Sequence, residues 1–201
     1  MDISKETDHL IAKDPRFAVL LKQFGYQSID VRDDFYHSLI KNIIYQQLSG
    51  KAALKIFSRF SKLLDGQIIP DQVLAMNDKK LRSVGLSKQK CIYIKDLSER
   101  CMNGSLELSQ LEHVGNQEVY DMLIKVKGIG PWTIDMFLMF SLGRLDVFPL
   151  GDLGIKKGVR ILCELEELPS EELKQISSKW SPYRTIAALY MWKLVDGPFE
   201  W

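Results

Sequence analysis

The chain has 201 residues, 46% of them hydrophobic, so it can bury a substantial core as one domain or as two closely joined lobes. No apolar run approaches the roughly 20 residues that a membrane span needs, and the N-terminus lacks the apolar segment of a signal peptide, so we expect an intracellular protein, in a bacterial cytoplasm or a nucleus. The net charge of +1 gives no bulk electrostatic signal for nucleic acid, and the three cysteines and three histidines have no metal-ligand spacing.

Apolar residues recur three and four positions apart along most of the chain, which predicts a protein built from helices. An early helix includes Phe17 and Leu20, and a longer one begins near Asp33 and Asp34 and ends near Leu48. Further helices are predicted, in chain order, over residues 51–64, 70–76, 78–84 and 88–102. No Asn-Gly or Asp-Gly turn joins two alternating segments, so we expect no strand hairpin except near the N-terminus.

The segment Gly128-Ile129-Gly130-Pro131-Trp132-Thr133 separates two further helices. Residues 121–126 have helical periodicity, and Gly128 can end that helix because glycine reaches the left-handed conformation that helix C-termini often need. Gly130 allows a second tight turn, and Pro131 suits the first position of the next helix, where its missing N–H costs nothing. Glycine N–H groups beside a helix N-terminus attract phosphate, although the same segment also suits a connection that binds no ligand.

Three helices are predicted in the C-terminal part of the chain, over residues 152–163, 171–180 and 182–195. Asp152 precedes Leu-Gly-Ile-Lys-Lys, where its carboxylate can cap the first of them by accepting N–H groups of the first turn. Asp152 is therefore suited to a structural role as a cap and to a functional role as a carboxylate. The two roles are compatible, because a capping carboxylate is held in one orientation. In the last helix we expect Tyr190 in the core, because aromatic residues at helical spacing usually lie there.

Leu-x-x-Val-x-Gly-Ile-Gly-Pro-Trp-Thr, followed 22 residues after Gly130 by the aspartate of Phe-Pro-x-Gly-Asp-Leu, resembles the helix-hairpin-helix-Gly/Pro-Asp (HhH-GPD) superfamily of DNA glycosylases. The likeness is closest to the compact form of 3-methyladenine DNA glycosylase II. The resemblance implies that Asp152 is the catalytic carboxylate and that Gly128, Gly130 and Thr133 bind the DNA. It also implies that the hairpin carbonyls of Gly128 and Gly130 can hold a sodium or potassium ion.

A second likeness lies in Gln46-Gln47-Leu48-Ser49-Gly50-Lys51-Ala52-Ala53, which is similar to a Gln-Gln-Leu/Ile-Ser-x-Lys-Ala-Ala pattern of the family. It implies that this turn enters the minor groove of DNA. Leu48 would fill the gap left by an extruded base, with Gln47 and Lys51 as neighbours on the DNA; such an apolar wedge offsets stacking lost at a kinked step. From its residue type alone, Leu48 also suits a core position at a helix end.

The third likeness runs from Trp180 to Trp192. It implies that Trp192 helps to form the pocket for the base beside the aspartate, and the candidates to line that pocket with it are Trp132, Met136 and Phe35. Met136 stands where the best-known enzyme of the family has a tyrosine, so the resemblance leaves the preferred base open. Arg184 matches a characteristic arginine of the family, and a structural role suits it as well as a functional one.

The residue at position 132 bears on the type of reaction. Family members that also cut the DNA strand carry a lysine two residues after the second hairpin glycine, and here that residue is Trp132. The resemblance therefore implies a monofunctional enzyme that flips out an alkylated purine, of the 3-methyladenine or 7-methylguanine class, and hydrolyses its N-glycosidic bond. The alternatives are a non-catalytic binder of abasic or distorted DNA and a glycosylase for another damaged base.

The fold that the resemblance implies is all-α, a two-lobed helical bundle with a helix-hairpin-helix motif and a DNA-binding cleft between the lobes. We expect one unit over residues 1–201, with one lobe over roughly 30–125 and another over roughly 126–201 plus the N-terminal helix. No cofactor is required by the implied chemistry, and three cysteines cannot supply the four that an iron–sulfur cluster of some relatives uses. The expected partner is double-stranded DNA with alkylated bases, bound by a monomer and away from any membrane.

Overall fold

The computed structural model describes residues 1–32 and 34–196, and α-helices account for most of this part of the chain. In chain order the helices are α1 (Ser4–Lys13), α2 (Arg16–Phe24), α3 (Phe35–Tyr45), α4 (Gly50–Leu63), α5 (Pro70–Ala75), α6 (Asp78–Ser83), α7 (Lys88–Met102), α8 (Asn116–Leu123), α9 (Pro131–Phe140), α10 (Leu153–Cys163), α11 (Ser170–Ser178) and α12 (Arg184–Asp196). A single 3₁₀ turn, Leu108–Gln110, lies between α7 and α8. The described residues contain no β-strand beyond one antiparallel bridge between Asp2 and Ser28, which confirms the all-α prediction.

Local capping explains where several helices begin. The side chains of Asp34, Asn77 and Ser87 each accept the backbone N–H three residues later, at 2.9, 2.9 and 3.2 Å, before α3, α6 and α7. Such caps satisfy N–H groups that have no partner inside the helix. The prediction for α7, residues 88–102, is confirmed at both ends. The alternative start of α3 at Asp33 lies outside the described residues.

The helix before the hairpin differs from the prediction. Helix α8 ends at Leu123, five residues before Gly128, and residues 124–127 form turns instead of another helical turn. The N–H of Val126 bonds the carbonyl of Leu123, and that of Ile129 bonds Val126, at 3.0 and 3.1 Å. Gly128 therefore lies within a turn of its own, and the prediction that it ends the helix directly was wrong.

The chain divides into two compact units, the second of which is a continuous segment, Arg32–Phe137. This second unit comprises α3 to α8 and the start of α9. Its core is built on α3, which packs against α4 and α7. Four apolar residues of α3 at helical spacing, together with Phe60 of α4 and Ile94 and Leu97 of α7, have no solvent exposure; the four are Leu39, Ile40, Ile43 and Ile44.

The first unit joins Met1–Val31 to the chain from Leu138 onward. Helices α10 and α12 pack closely here, because Gly158 lets the backbones approach: a Cβ at this position would lie 2.5 Å from the carbonyl oxygen of Met191. The ring of Phe17 contacts Trp180 and Tyr190 edge-on, at centroid distances of 5.4 and 6.0 Å. Tyr190 is fully buried, which confirms its expected core position.

In the part of the chain that the structure describes, no helix is both long and apolar enough to span a bilayer.

Candidate nucleic-acid interface and active site

The hairpin, residues 124–131, requires glycine at position 128 for two reasons. Its φ of +80° lies in the left-handed region, and a Cβ there would stand 2.1 Å from Cδ2 of Tyr93. Gly130 is different, because its φ is not positive and a Cβ would meet no atom within 4 Å. Pro131 is the first residue of α9, as predicted. Nothing among residues 1–32 and 34–196 requires glycine at 130, so that position presents open backbone.

A buried carboxylate anchors the approach to the hairpin. Oδ2 of Asp96, on α7, accepts the backbone N–H of Lys127 at 3.0 Å and Nε of Arg100 at 2.8 Å, while Nζ of Lys127 lies 3.2 Å from Oδ1. Desolvation raises the pKa of Asp96, but these bonds outweigh it and hold that pKa below its ordinary value. The ammonium of Lys127 is thus engaged within the second unit.

The turn between α3 and α4, residues 46–49, combines an unusual backbone with an exposed apolar side chain. Gln47 adopts φ +57°, which a non-glycine residue adopts at a cost of about 1–2 kcal/mol. Leu48 keeps 39% of its surface exposed, so the core alternative for Leu48 was wrong. Lys51, in the first turn of α4, is also exposed. An exposed leucine on a strained turn is typical of a functional position.

The same turn is bonded to the hairpin. Nε2 of Gln46 donates to the carbonyl oxygen of Gly128 at 2.8 Å and to Oγ1 of Thr133 at 3.2 Å. Thr133 is only 3% exposed, so its hydroxyl is directed to Gln46 within the second unit. Nζ of Lys90, on α7, donates to the carbonyl oxygens of Ile44 and Gln46 at 2.6 and 2.9 Å. Burial lowers the pKa of Lys90.

The remaining pocket candidates of the second unit lie on or against α9. Trp132 is half-buried and Met136 is 1% exposed, while the ring of Phe35 packs edge-on against Phe137 with centroids 5.5 Å apart. Asp135 follows Trp132 by three residues and therefore lies on the same face of the helix. Burial raises the pKa of Asp135 to about 7.

Asp152, in the first unit, caps α10 as predicted. Its Oδ1 accepts the backbone N–H of Ile155 at 2.8 Å, and the same oxygen accepts Nε1–H of Trp192, on α12, at 3.1 Å. Gly154 leaves room for this arrangement, because a Cβ there would lie 3.1 Å from both Oδ1 of Asp152 and Cδ1 of Trp192. The structure thus brings Asp152 and Trp192, two of the predicted residues, into direct contact.

The loop that leads to Asp152 is held by the N-terminus of α12. Nε and Nη2 of Arg184 donate to Oδ1 and Oδ2 of Asp146 at 2.7 and 3.0 Å, which makes a bidentate ion pair. The hydroxyl of Ser181 also donates to Oδ2 of Asp146. The hydroxyl of Thr185 donates to the carbonyl of Arg144 at 2.7 Å. Of the two roles open to Arg184, these contacts assign the structural one.

Residues 40–182 match the profile of the HhH-GPD superfamily base excision DNA repair proteins. The chain belongs to the HhH-GPD superfamily. It is 34% identical over 199 residues to DNA-3-methyladenine glycosylase 1 of Schizosaccharomyces pombe, covering 95% of this chain and 87% of that protein. It is also 34% identical over 169 residues to YfjP of Bacillus subtilis, covering 80% of this chain but spanning only 59% of that longer relative.

A solved structure within the superfamily shares the fold. The Schizosaccharomyces pombe 3-methyladenine DNA glycosylase Mag1, in complex with abasic DNA, superposes with a TM-score of 0.85 and 34% identity, over 94% of this chain and 96% of that one. The likeness that the sequence motifs indicated is therefore confirmed at the level of family and fold.

The hairpin carbonyls can accommodate the alkali ion that the superfamily implies. The carbonyl oxygen of Gly128 accepts Nε2 of Gln46, and that of Gly130 accepts the N–H of Ile134 at 3.1 Å. A carbonyl oxygen has two lone pairs, so each retains one for a hard cation. The two residues fit a sodium or potassium ion on these terms, and the ion itself stays a prediction.

Three residues that support the interface were missed by the sequence reasoning, and all lie on α7. Lys90 bonds the 46–49 turn, Tyr93 packs on Gly128, and Asp96 holds Lys127. They are spaced three apart, so they share one face of the helix. The sequence of α7 by itself carries no signal for these contacts, because charged residues on a polar helix are usually solvated. Gln46 stood in the second motif but carried no assigned role.

Proposed function

We propose that this chain is a monofunctional DNA glycosylase that removes alkylated purines of the 3-methyladenine and 7-methylguanine class and leaves an abasic site. The observation that supports this most is Asp152, whose carboxylate is held by two donors at the position of the family's catalytic aspartate. The Schizosaccharomyces pombe relative is named as a 3-methyladenine DNA glycosylase, and this name supports the choice of base. The substrate would be double-stranded DNA, bound by a monomer.

The proposed chemistry needs a fixed negative charge. Departure of the base leaves an oxocarbenium-like sugar, akin to the transition state of glycoside hydrolysis. The carboxylate of Asp152 would stabilise that positive charge and orient or deprotonate the incoming water. Since Oδ1 already accepts two N–H groups, its position is set before DNA arrives, and the reaction pays no reorganisation of the carboxylate.

A methylated purine suits an aromatic pocket and a monofunctional mechanism. Alkylation at N3 or N7 makes the base cationic, so it leaves readily and is attracted to electron-rich aromatic faces such as that of Trp132. An indole has no primary amine, so residue 132 cannot form the Schiff base through which a lysine cuts the strand. We therefore propose that strand cleavage is absent, and that no metal or organic cofactor takes part in base removal.

The second unit would hold the DNA. Extrusion of a base costs roughly a few kcal/mol, and an apolar side chain placed in the vacated stack offsets part of it. Leu48 on the 46–49 turn is exposed for that role, and the open backbone at Gly130 can approach a phosphate without a side chain in between. Gln47 and Lys51, both exposed, would contact the DNA beside Leu48.

The test is a panel of duplexes, each with one 3-methylpurine, 7-methylguanine, deaminated, oxidised or mismatched base. Free base is measured by chromatography, and the strand is analysed before and after alkali. We expect release of methylated purines, a strand that breaks only after alkali, and no effect of a chelator. Preferential release of an oxidised or mismatched base, or strand cleavage before alkali, would overturn the proposal. Absence of release with tight binding to abasic DNA would make the protein a damage binder.

A further inference from the structure

The carboxyl end of α3 is held by a charged side chain from another helix. Its last carbonyls have no partner within the helix, as at any helix C-terminus. Nζ of Lys90 donates to two carbonyl oxygens there, of Ile44 at 2.6 Å and of Gln46 at 2.9 Å. An ammonium also complements the negative end of the helix dipole. The 46–49 turn therefore leaves α3 from a fixed end.

The side chain of Gln46 extends the connection to the hairpin. Because a carbonyl oxygen can only accept, it is the amide nitrogen of Gln46 that faces Gly128, at 2.8 Å. The second amide hydrogen is available to Oγ1 of Thr133 at 3.2 Å. Gln46 is half-buried, whereas residues 47–49 are exposed. Gln46 is therefore the last half-buried residue before the exposed part of the turn, and its side chain bonds both Gly128 in the hairpin and Thr133 in α9.

Helix α7 supports both elements from one face. Lys90 bonds the 46–49 turn, while Tyr93 packs on Gly128 and Asp96 accepts the N–H of Lys127. All of these residues belong to the second unit. A shift of the hairpin relative to the turn would break the bonds of Gln46 and leave buried polar atoms without partners, which is costly.

We propose that Gln46 and Lys90 are positioning residues that lock the 46–49 turn to the hairpin, so that Leu48 and the Gly130 backbone meet the duplex as one rigid element. This inference rests on the proposed function, because it assumes that both elements contact DNA. Its consequence is specific: loosening the lock should impair insertion of Leu48 into the helix stack more than it impairs binding of the DNA backbone.

The variants are Gln46→Met, which keeps the length of the side chain, and Lys90→Met, which shortens it by one atom; both remove the donors. Gln117→Met and Lys95→Met are the matched controls, because their partners Asp121 and Asp78 do not belong to the turn or the hairpin. Urea unfolding of each variant establishes that it folds. If Gln46 and Lys90 only stabilise the fold, the variants should lose stability, and insertion of Leu48 and affinity for DNA should fall together.

Insertion is measured with a duplex in which 2-aminopurine stands opposite an abasic site, since its fluorescence rises when it is unstacked. Affinity for the same duplex is measured by anisotropy. We expect Gln46→Met, Lys90→Met and Leu48→Ala to bind the duplex but to lose most of the fluorescence rise, and the controls to keep it. In a chain that already carries Leu48→Ala, adding Gln46→Met or Lys90→Met should cause no further loss of the fluorescence rise, because both residues act through Leu48. An undiminished rise, or additive losses, would overturn the inference.

Base release gives the second readout. Single-turnover release of a methylated purine should fall about tenfold to a hundredfold in Gln46→Met when the base is paired, since a misplacement of about 1 Å can slow a reaction by about a hundredfold. It should fall much less when the base stands opposite an abasic site, where less stacking must be replaced. If the native chain releases no base but the 2-aminopurine rise still depends on Gln46, the proposed function fails and the lock stands. Equal slowing on both duplexes would contradict the lock.

Discussion

Nε1 of Trp192 and the backbone N of Ile155 donate to the same oxygen of Asp152, at 3.1 and 2.8 Å. The first donor comes from α12 and the second from the first turn of α10, so the carboxylate is fixed between two helices. Their close packing depends on Gly158, where a Cβ would lie 2.5 Å from the Met191 carbonyl. The orientation of Asp152 is therefore a property of the α10–α12 contact as well as of its own cap.

Trp192→Phe removes the indole N–H and keeps a smaller aromatic ring at this buried position. A hydrogen bond to a charged group contributes about 1.5–3 kcal/mol, so we expect base release to slow by about tenfold to a hundredfold if the bond fixes the carboxylate for reaction. Single-turnover kinetics measure this. Tyr190→Phe on the same helix is the control, since its hydroxyl bonds the carbonyl of Gly25 and should affect stability alone. Equal rates for Trp192→Phe and the native chain would contradict the role.

The two hairpin glycines should respond differently to alanine. Gly128→Ala forces a Cβ into Tyr93 at a positive φ, so we expect destabilisation of about 2–4 kcal/mol. In Gly130→Ala the added Cβ meets no described atom within 4 Å, so the unfolding free energy should stay within about 0.5 kcal/mol of native while affinity for DNA falls. Urea unfolding and anisotropy separate the two effects. Normal DNA binding by Gly130→Ala would show that this backbone does not approach phosphate.

Asp135 should make stability depend on pH in a defined direction. Its folded pKa of about 7 exceeds the ordinary 3.8, so between these values the folded chain holds a proton that the unfolded chain releases. The free energy of unfolding contributed by Asp135 therefore falls as pH rises through this window. Asp135→Asn should be more stable than native by roughly 1–2 kcal/mol at about pH 8, discounted for partial exposure, with the advantage gone near pH 4. A pH-independent difference in urea unfolding would refute this origin.

Asp96 should act in the opposite sense. Its bonds to Lys127 and Arg100 keep its folded pKa below the ordinary value, so its contribution to stability is present above that value and is lost as pH falls through the folded pKa. Asp96→Asn should cost about 2–4 kcal/mol near neutral pH, because a buried carboxylate with three donors is replaced. Thermal or urea unfolding measures the cost. The difference between variant and native should shrink in acid; a difference that grows there would contradict the assignment.

Local physical chemistry explains which features could be predicted from the sequence. Helices followed from apolar spacing, and the ends that carry their own caps, at Asp152 and Ser87, were predicted closely. The hairpin was recognised from Gly128, Gly130 and Pro131, and the left-handed backbone of Gly128 was expected; its second reason, Tyr93, lies far away in sequence. The end of α8 was misplaced because helical periodicity continues in the sequence to residue 126, whereas the chain turns after Leu123 to enter the hairpin.

Contacts between distant residues account for the rest. The bond between Trp192 and Asp152 joins residues 40 apart, and that between Gln46 and Gly128 joins residues 82 apart. No local pattern specifies such a pair, although the family motifs contain three of these four residues among their assigned positions. Lys90 was missed because a lysine on a polar helix is usually solvated, and only the fold brings it to the carbonyls of α3.

The most direct test compares base release from a methylated duplex by the native chain and by Asp152→Asn. Asparagine is as good a helix cap as aspartate, so the variant should fold and bind abasic DNA like the native chain while losing the negative charge. We predict release by the native chain and a loss of at least about a hundredfold in the variant. Undiminished release by Asp152→Asn would contradict the central claim and leave Asp152 as a cap alone.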